Sequence, residues 1–147
     1  MIRRILTLGC LTLTVLVLSA ATRAQCNGWR MSSGQAQPIA QGKKAQIYLS
    51  AIKPKKGSTT DYKATAEYVD TTGVSSNFGE GKAEAAITGK DFHMKISWSN
   101  KEVGIYDGKI APNGRMNGTV YSVSSPNTKV SWSARGLLEC SSGRPRS

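Results

Sequence analysis

Apolar and polar residues are distributed along this chain in three different ways. Residues 5–21 form a continuously apolar run, broken only by Thr, Ser, Gly and Cys10, and the run follows the cationic pair Arg3 and Arg4. Residues 25–43 are rich in Gly, Ser, Gln and Ala, with Trp29 as the one aromatic side chain, and read as an irregular N-terminal arm. From residue 44 onward the pattern turns to a period of two, which places successive side chains on opposite faces of an extended strand.

That alternation predicts a succession of short strands. Ile47, Leu49 and Ala51 share one parity, and Tyr62, Ala64, Ala66 and Tyr68 share another. Ala83, Ala85 and Ile87 mark a third strand. The cleanest example runs from Phe92 through Met94 and Ile96 to Trp98, against His93, Lys95, Ser97 and Ser99. Residues 103–110 follow, and then Ala111-Pro112-Asn113-Gly114, a hairpin signal because Gly114 accepts the positive φ that a tight turn requires. Met116, Gly118 and Val120 carry the return strand. Ser124-Ser125-Pro126-Asn127 reads as another turn, Val130 and Trp132 as the inward side of the next strand, and residues 137–140 as the strand completing the sheet.

No segment carries a helical stripe. The expected fold is all-β, a small antiparallel up-and-down β-barrel of seven or eight strands over residues 44–140. A compact β-sandwich is the alternative that the pattern leaves open.

The apolar run at the start changes how the composition is to be read. A cationic start, an apolar stretch and the small-residue segment Ala21-Thr22-Arg23-Ala24 follow the order of a secretory signal peptide over residues 1–24. No later run is long enough for a membrane span. Removing those 24 of 147 residues leaves 123. Arg3, Arg4 and Arg23 leave the 20 basic residues, so 17 remain against 9 acidic ones, a net charge of +8. Cys10 goes as well. Cys26 and Cys140 stay, one near each end, and in a secreted or periplasmic chain they read as one terminal disulfide. A loop of that length gives an entropic stabilisation of about 4–5 kcal/mol. Residues 141–147, with Arg144 and Arg146 among Ser, Gly and Pro, read as a flexible tail.

The candidate chemistry is sparse. His93 falls on the outward parity and Asp91 lies along its own strand, so neither forms an obvious acid–base pair. No nucleophile elbow, phosphate loop, metal cluster or cofactor fingerprint is present, so the expectation is a non-catalytic protein with no cofactor and no metal. Aromatic rings beside polar groups suit a sugar or another small ligand, because rings supply apolar faces while polar atoms fix orientation. The candidates are Trp98, Tyr106, Asp107, Tyr121 and Trp132. Lys95-Ile96-Ser97-Trp98-Ser99 recurs as Lys129-Val130-Ser131-Trp132-Ser133, which places the two tryptophans in equivalent environments.

Positive charge is the broadest feature. Lys43, Lys44, Lys53, Lys55, Lys56 and Lys63 form a basic section offset by Asp61 alone. Such charge attracts anionic polymers or acidic proteins, and export disfavours nucleic acid as the main partner. The expected function is therefore a secreted or periplasmic binding module for a glycan, a small ligand or an anionic envelope component. The alternative is a protein–protein interactor or inhibitor that presents loops at residues 53–60 or 70–81; a small hydrolase ranks below both. Asn117-Gly118-Thr119 is a formal glycosylation sequon. The pattern carries no oligomeric state.

Overall fold

The structure is a computed structural model that describes residues 26, 28–33, 37–43, 45–70 and 79–141. The expected signal peptide, Lys44, most of the 70–81 loop and all of the tail except Ser141 lie outside the described residues.

The alternation becomes strands in chain order: β1 (Trp29–Met31), β2 (Gln37–Gln41), β3 (Ala45–Pro54), β4 (Asp61–Asp70), β5 (Glu80–Thr88), β6 (Asp91–Trp98), β7 (Val103–Ile110), β8 (Met116–Ser122), β9 (Ser125–Ala134) and β10 (Leu138–Cys140). Strands β2 to β9 form a closed barrel, each antiparallel to its sequence neighbours. Closure comes from β2 against β9, where Ile39 faces Ala134 and Gln41 faces Trp132. The sandwich is thereby excluded and the up-and-down barrel stands.

Three local expectations are corrected. The N-terminal arm is not irregular: β2 inside it is a full barrel strand, held by pairing with β3 and β9 rather than by its own composition. Residues 137–140 do not complete the barrel. Strand β10 pairs instead with β1 in a separate two-stranded ribbon. The turn after β8 sits at Val123 and Ser124, and Pro126 lies within β9. Proline is tolerated there because β8 and β9 fall out of register, with Pro126, Asn127, Thr128 and Lys129 standing opposite the single Tyr121.

Eight strands enclose an interior just wide enough for side chains or one small ligand. Most of it is filled. Ile39, Ile47, Leu49, Phe92, Met94, Ile96, Tyr106 and Met116 are fully buried. Large inward rings are fitted against small inward residues. Trp98 lies opposite Gly81, where a Cβ would come within 2.8 Å of the indole. Trp132 lies over Gly108, and its Nε1 donates to the carbonyls of Asp107 at 3.2 Å and Thr119 at 3.1 Å. Gly108 and Gly118 face one another across β7 and β8, and a Cβ on Gly118 would strike the Asp107 carbonyl. The ring thus fills space that any other residue at Gly108 would occupy.

The two ends of the barrel differ. At one end lie the turns β3–β4, β5–β6 and β7–β8, and the β1–β10 ribbon folds across them. Met31 reaches inward to the void shared by Leu49, Tyr62, Ala85 and Met94. Trp29 lies against Gly114, whose φ of +77° makes the tight turn that the sequence predicted. The Cys26–Cys140 disulfide, with Cα atoms 5.7 Å apart, joins the ribbon's two strands at their outer end. At the ribbon's other end Ser32 is buried, with its hydroxyl donating to Glu139 at 2.8 Å. The opposite end of the barrel has no such cover among the described residues.

Candidate functional site

The end without such cover among the described residues holds a cleft of about 200 Å³. Its position follows from strand parity. Inward residues at the open-end termini of β4, β6, β7 and β8 are Tyr68, Trp98, Gly104 and Ser122, and Gly104 leaves the space that the neighbouring rings use. The Tyr68 and Trp98 rings meet edge to face, 6.0 Å apart with an interplanar angle of 85°. Val130, Thr128 and Ser125 of the irregular β8–β9 pair form the opposite wall beside Tyr121.

Polar atoms are set among these rings. The buried Tyr106 hydroxyl donates to Gln41 Oε1 at 2.7 Å on the cleft floor. Burial, reinforced by the nearby Tyr68, pushes the Tyr106 phenol far above its ordinary range, so it stays a neutral donor. Burial and then the Asp70 carboxylate raise Tyr68 as well. At the rim, Glu102 Oε2 accepts from Ser122 Oγ at 2.6 Å and Ser124 Oγ at 2.8 Å. Those two hydroxyls hold its carboxyl below the usual glutamate range and keep it ionised. Lys129 Nζ stands 5.9 Å from the Tyr121 ring centroid.

Of the five aromatic and acidic candidates, Trp98, Tyr106 and Tyr121 come together in this cleft. Trp132 and Asp107 do not. Trp132 is a core residue packed on Phe92 and Tyr106, at centroid distances of 5.7 and 6.1 Å. The repeated pentapeptide therefore does not give the two tryptophans equivalent surroundings. Its aliphatic members differ too, with Ile96 buried and Val130 37% exposed at the mouth. Asp107 points outward from β7, where its Oδ1 lies 2.6 Å from His93 Nδ1.

Sequence reasoning missed Tyr68 and Gln41, and it did not place Glu102 beside the rings. Tyr68 carried a usable signal, since it shares the inward parity of Tyr62, Ala64 and Ala66 and lies near the end of its strand. Gln41 carried none, because β2 is recognisable only from its partners.

The His93–Asp107 pair resembles half of an acid–base relay but is built on the outer wall, with both side chains more than half exposed. Thr119 stands beside Asp107 in the strand register, on the side away from His93. That order sets the Asp107 carboxylate between the imidazole and the Thr119 hydroxyl. Asp91, two residues along, is ion-paired with Lys109. Among the described residues no group of three His, Cys, Asp or Glu side chains is arranged to hold a metal. No helix among them is long and apolar enough to cross a membrane.

The basic section divides in space. Lys43 lies in the turn between β2 and β3 at the open end, and Lys44 is outside the described residues. Lys53, Lys55, Lys56 and Lys63 lie toward the capped end, the length of β3 away. A second cleft, of about 690 Å³, separates the ribbon from the β3–β4 turn and is lined by Trp29, Arg30, Pro54, Thr59, Thr60 and Tyr62 among others. It is larger than the mouth, yet it is the seam between two packed parts of the fold.

Set against protein-family models, curated proteins and solved structures, the chain matches none of them. The candidate site therefore rests on its own geometry.

Proposed function

We propose that this protein is an exported, non-catalytic binding module that takes one small ligand in the open mouth of its barrel. The observation that carries this reading is the pairing of ring faces with fixed polar atoms at the barrel end that the ribbon leaves uncovered among the described residues. Tyr68 and Tyr121, with the largely buried Trp98 behind them, line the cleft, while Gln41, held by the buried Tyr106 hydroxyl, and Glu102 are oriented polar groups. A cleft of about 200 Å³ lies below the roughly 300–1,000 Å³ of drug-sized sites, so the occupant is the size of a single sugar ring or a small amine. Export is supported by the apolar run at residues 5–21 behind two arginines, and by the Cys26–Cys140 pair.

A titration of intrinsic tryptophan fluorescence with monosaccharides and small amines tests this reading. A saturable change that Trp98→Leu abolishes is the expected outcome. A flat response across the panel contradicts it.

One observation favours a second reading, a protein partner. Among the described residues the exposed large aliphatic side chains are Val69, Val123 and Val130, and all three sit at the open end. A partner capping the mouth would cover them. Under that reading the small-molecule panel stays flat, while Val123→Asp disrupts a complex formed at the rim.

A further inference from the structure

The outer wall of the barrel near the capped end carries a concentration of lysine that the linear sequence conceals. Strand register places Lys53 opposite Lys63, Lys63 opposite Glu84, and Glu84 opposite Lys95. Lys82 stands in the adjoining row beside Thr65, and Lys55 and Lys56 follow at the end of β3. Six lysines from four segments thus share one face with Glu84 between them. Lys55 bridges Glu84 at 3.0 Å, and its ammonium, then Lys95 and Lys63, hold that carboxyl below its ordinary range.

Like charges directly opposite on neighbouring strands are destabilising, yet Lys53 and Lys63 are paired that way. The wall is also shaped. A bulge interrupts β3 between Ser50 and Lys53, with Ala51 at a φ of 49°, and beside it lies a groove of about 430 Å³. Lys53, Lys55, Lys56 and Lys63 line that groove with Ala64 and Thr65. The row from Lys53 to Lys95 crosses three strand gaps, about 15 Å at the usual spacing. That length suits several acid groups on one chain.

We propose that this wall is a binding site for an anionic polysaccharide, distinct from the mouth. The chain would run across β3 to β6 with its carboxylates or sulfates on Lys53, Lys63, Lys82 and Lys95, and one acid group seated in the bulge groove. Lysine suits such a ligand, since each ammonium acts as a point charge that tolerates varied acid geometry. A planar bilayer fits less well. The wall is convex, and among the described residues the exposed large aliphatic side chains that could enter lipid are at the open end rather than among these lysines. Nucleic acid fits less well too, because neither lysine row carries an aromatic side chain on which a base could stack.

The test is a low-salt titration with dextran sulfate as the probe. It uses the full protein, the triple variant Lys53→Gln/Lys63→Gln/Lys95→Gln, and a control of equal charge away from the mouth rings, Lys43→Gln/Lys90→Gln/Arg135→Gln. The wall variant is expected to bind about tenfold more weakly and the control within about twofold, with the affinity falling steeply in salt. Glu84→Gln, which removes the one carboxylate from the rows, is expected to tighten binding about twofold. That gain guards against confusing lost binding with lost folding. Equal losses in the two triple variants would reduce the effect to net charge and overturn the site. Tighter wall-dependent binding to phosphatidylglycerol vesicles or to a short DNA duplex than to dextran sulfate would overturn the polysaccharide assignment. Sugar or amine binding in the mouth is expected to be the same in all four proteins, so failure at either site is read separately.

Discussion

The two ends of this barrel are built from the same strands and finished differently. At the capped end the β1–β10 ribbon, the Cys26–Cys140 disulfide and the side chains of Trp29, Met31, Leu137 and Leu138 close the interior. At the open end the equivalent layer consists of Tyr68, Trp98, Gln41 and Tyr106, with rings and polar atoms left facing a cleft. The difference lies in what backs each layer. Covered apolar groups are removed from water and stabilise the fold, at about 1.5–3 kcal/mol for a large side chain. A partly covered ring such as Tyr68, beside oriented polar groups, is better suited to a ligand that completes its burial.

The largest expected effect separates the ends by removing the staple. Cys26→Ala with Cys140→Ala should lower stability by about 2–5 kcal/mol in urea unfolding, while the folded fraction keeps its affinity at the mouth. Loss of binding without loss of stability would break the comparison. Next is Gly114→Val, which forces a β-branched residue to a φ of +77° and drives its Cβ into the Trp29 ring. It should cost about 2–3 kcal/mol and again leave binding intact, as followed by thermal melting and titration.

Effects at the open end are smaller in stability and larger in binding. Trp98→Leu should weaken the best-binding sugar or amine about tenfold or more, at a stability cost of about 1–3 kcal/mol. Tyr106→Phe removes the donor to Gln41 and should cost about 1 kcal/mol at neutral pH. It should also change the alkaline limb. The folded pKa of Tyr106 lies above the unfolded value, so its contribution is fully present below about pH 10 and is lost as pH rises toward the folded pKa. Tyr106→Phe should therefore flatten the fall in stability above about pH 10, with Tyr68 leaving a residual slope. The smallest effect belongs to neither end. His93→Gln on the outer wall should change stability by less than about 0.5 kcal/mol and leave mouth binding unchanged, because an exposed side-chain pair contributes little.

The strands that alternate strictly were legible from the sequence, since Phe92, Met94, Ile96 and Trp98 allow one arrangement of faces. So were the 111–114 hairpin and the link between Cys26 and Cys140. Strand β2 was not, because Pro38, Ala40 and Gln41 carry no strand signal and pairing with β3 and β9 supplies the order. Strand β10 was legible as a strand and illegible as to partner, since three residues do not specify which edge they join. The His93–Asp107 contact was within reach. Both residues stand seven positions from Asn100, so a hairpin centred there makes them face each other. Trp98 and Trp132 share the same local sequence, and parity placed both inward. Depth along the barrel, which parity does not encode, separates mouth from core.

The tryptophans also supply the most direct test, because each reports a different level of the barrel. Trp29 lies at the cap, Trp132 in the core and Trp98 at the mouth. Nitrogen-15 NMR resolves the three indole N–H groups as separate signals during titration with the sugar and amine panel. The account predicts that a binding ligand shifts the Trp98 signal, moves Trp132 little and leaves Trp29 in place. A shift confined to Trp29, or no shift at Trp98 with any member of the panel, would contradict it.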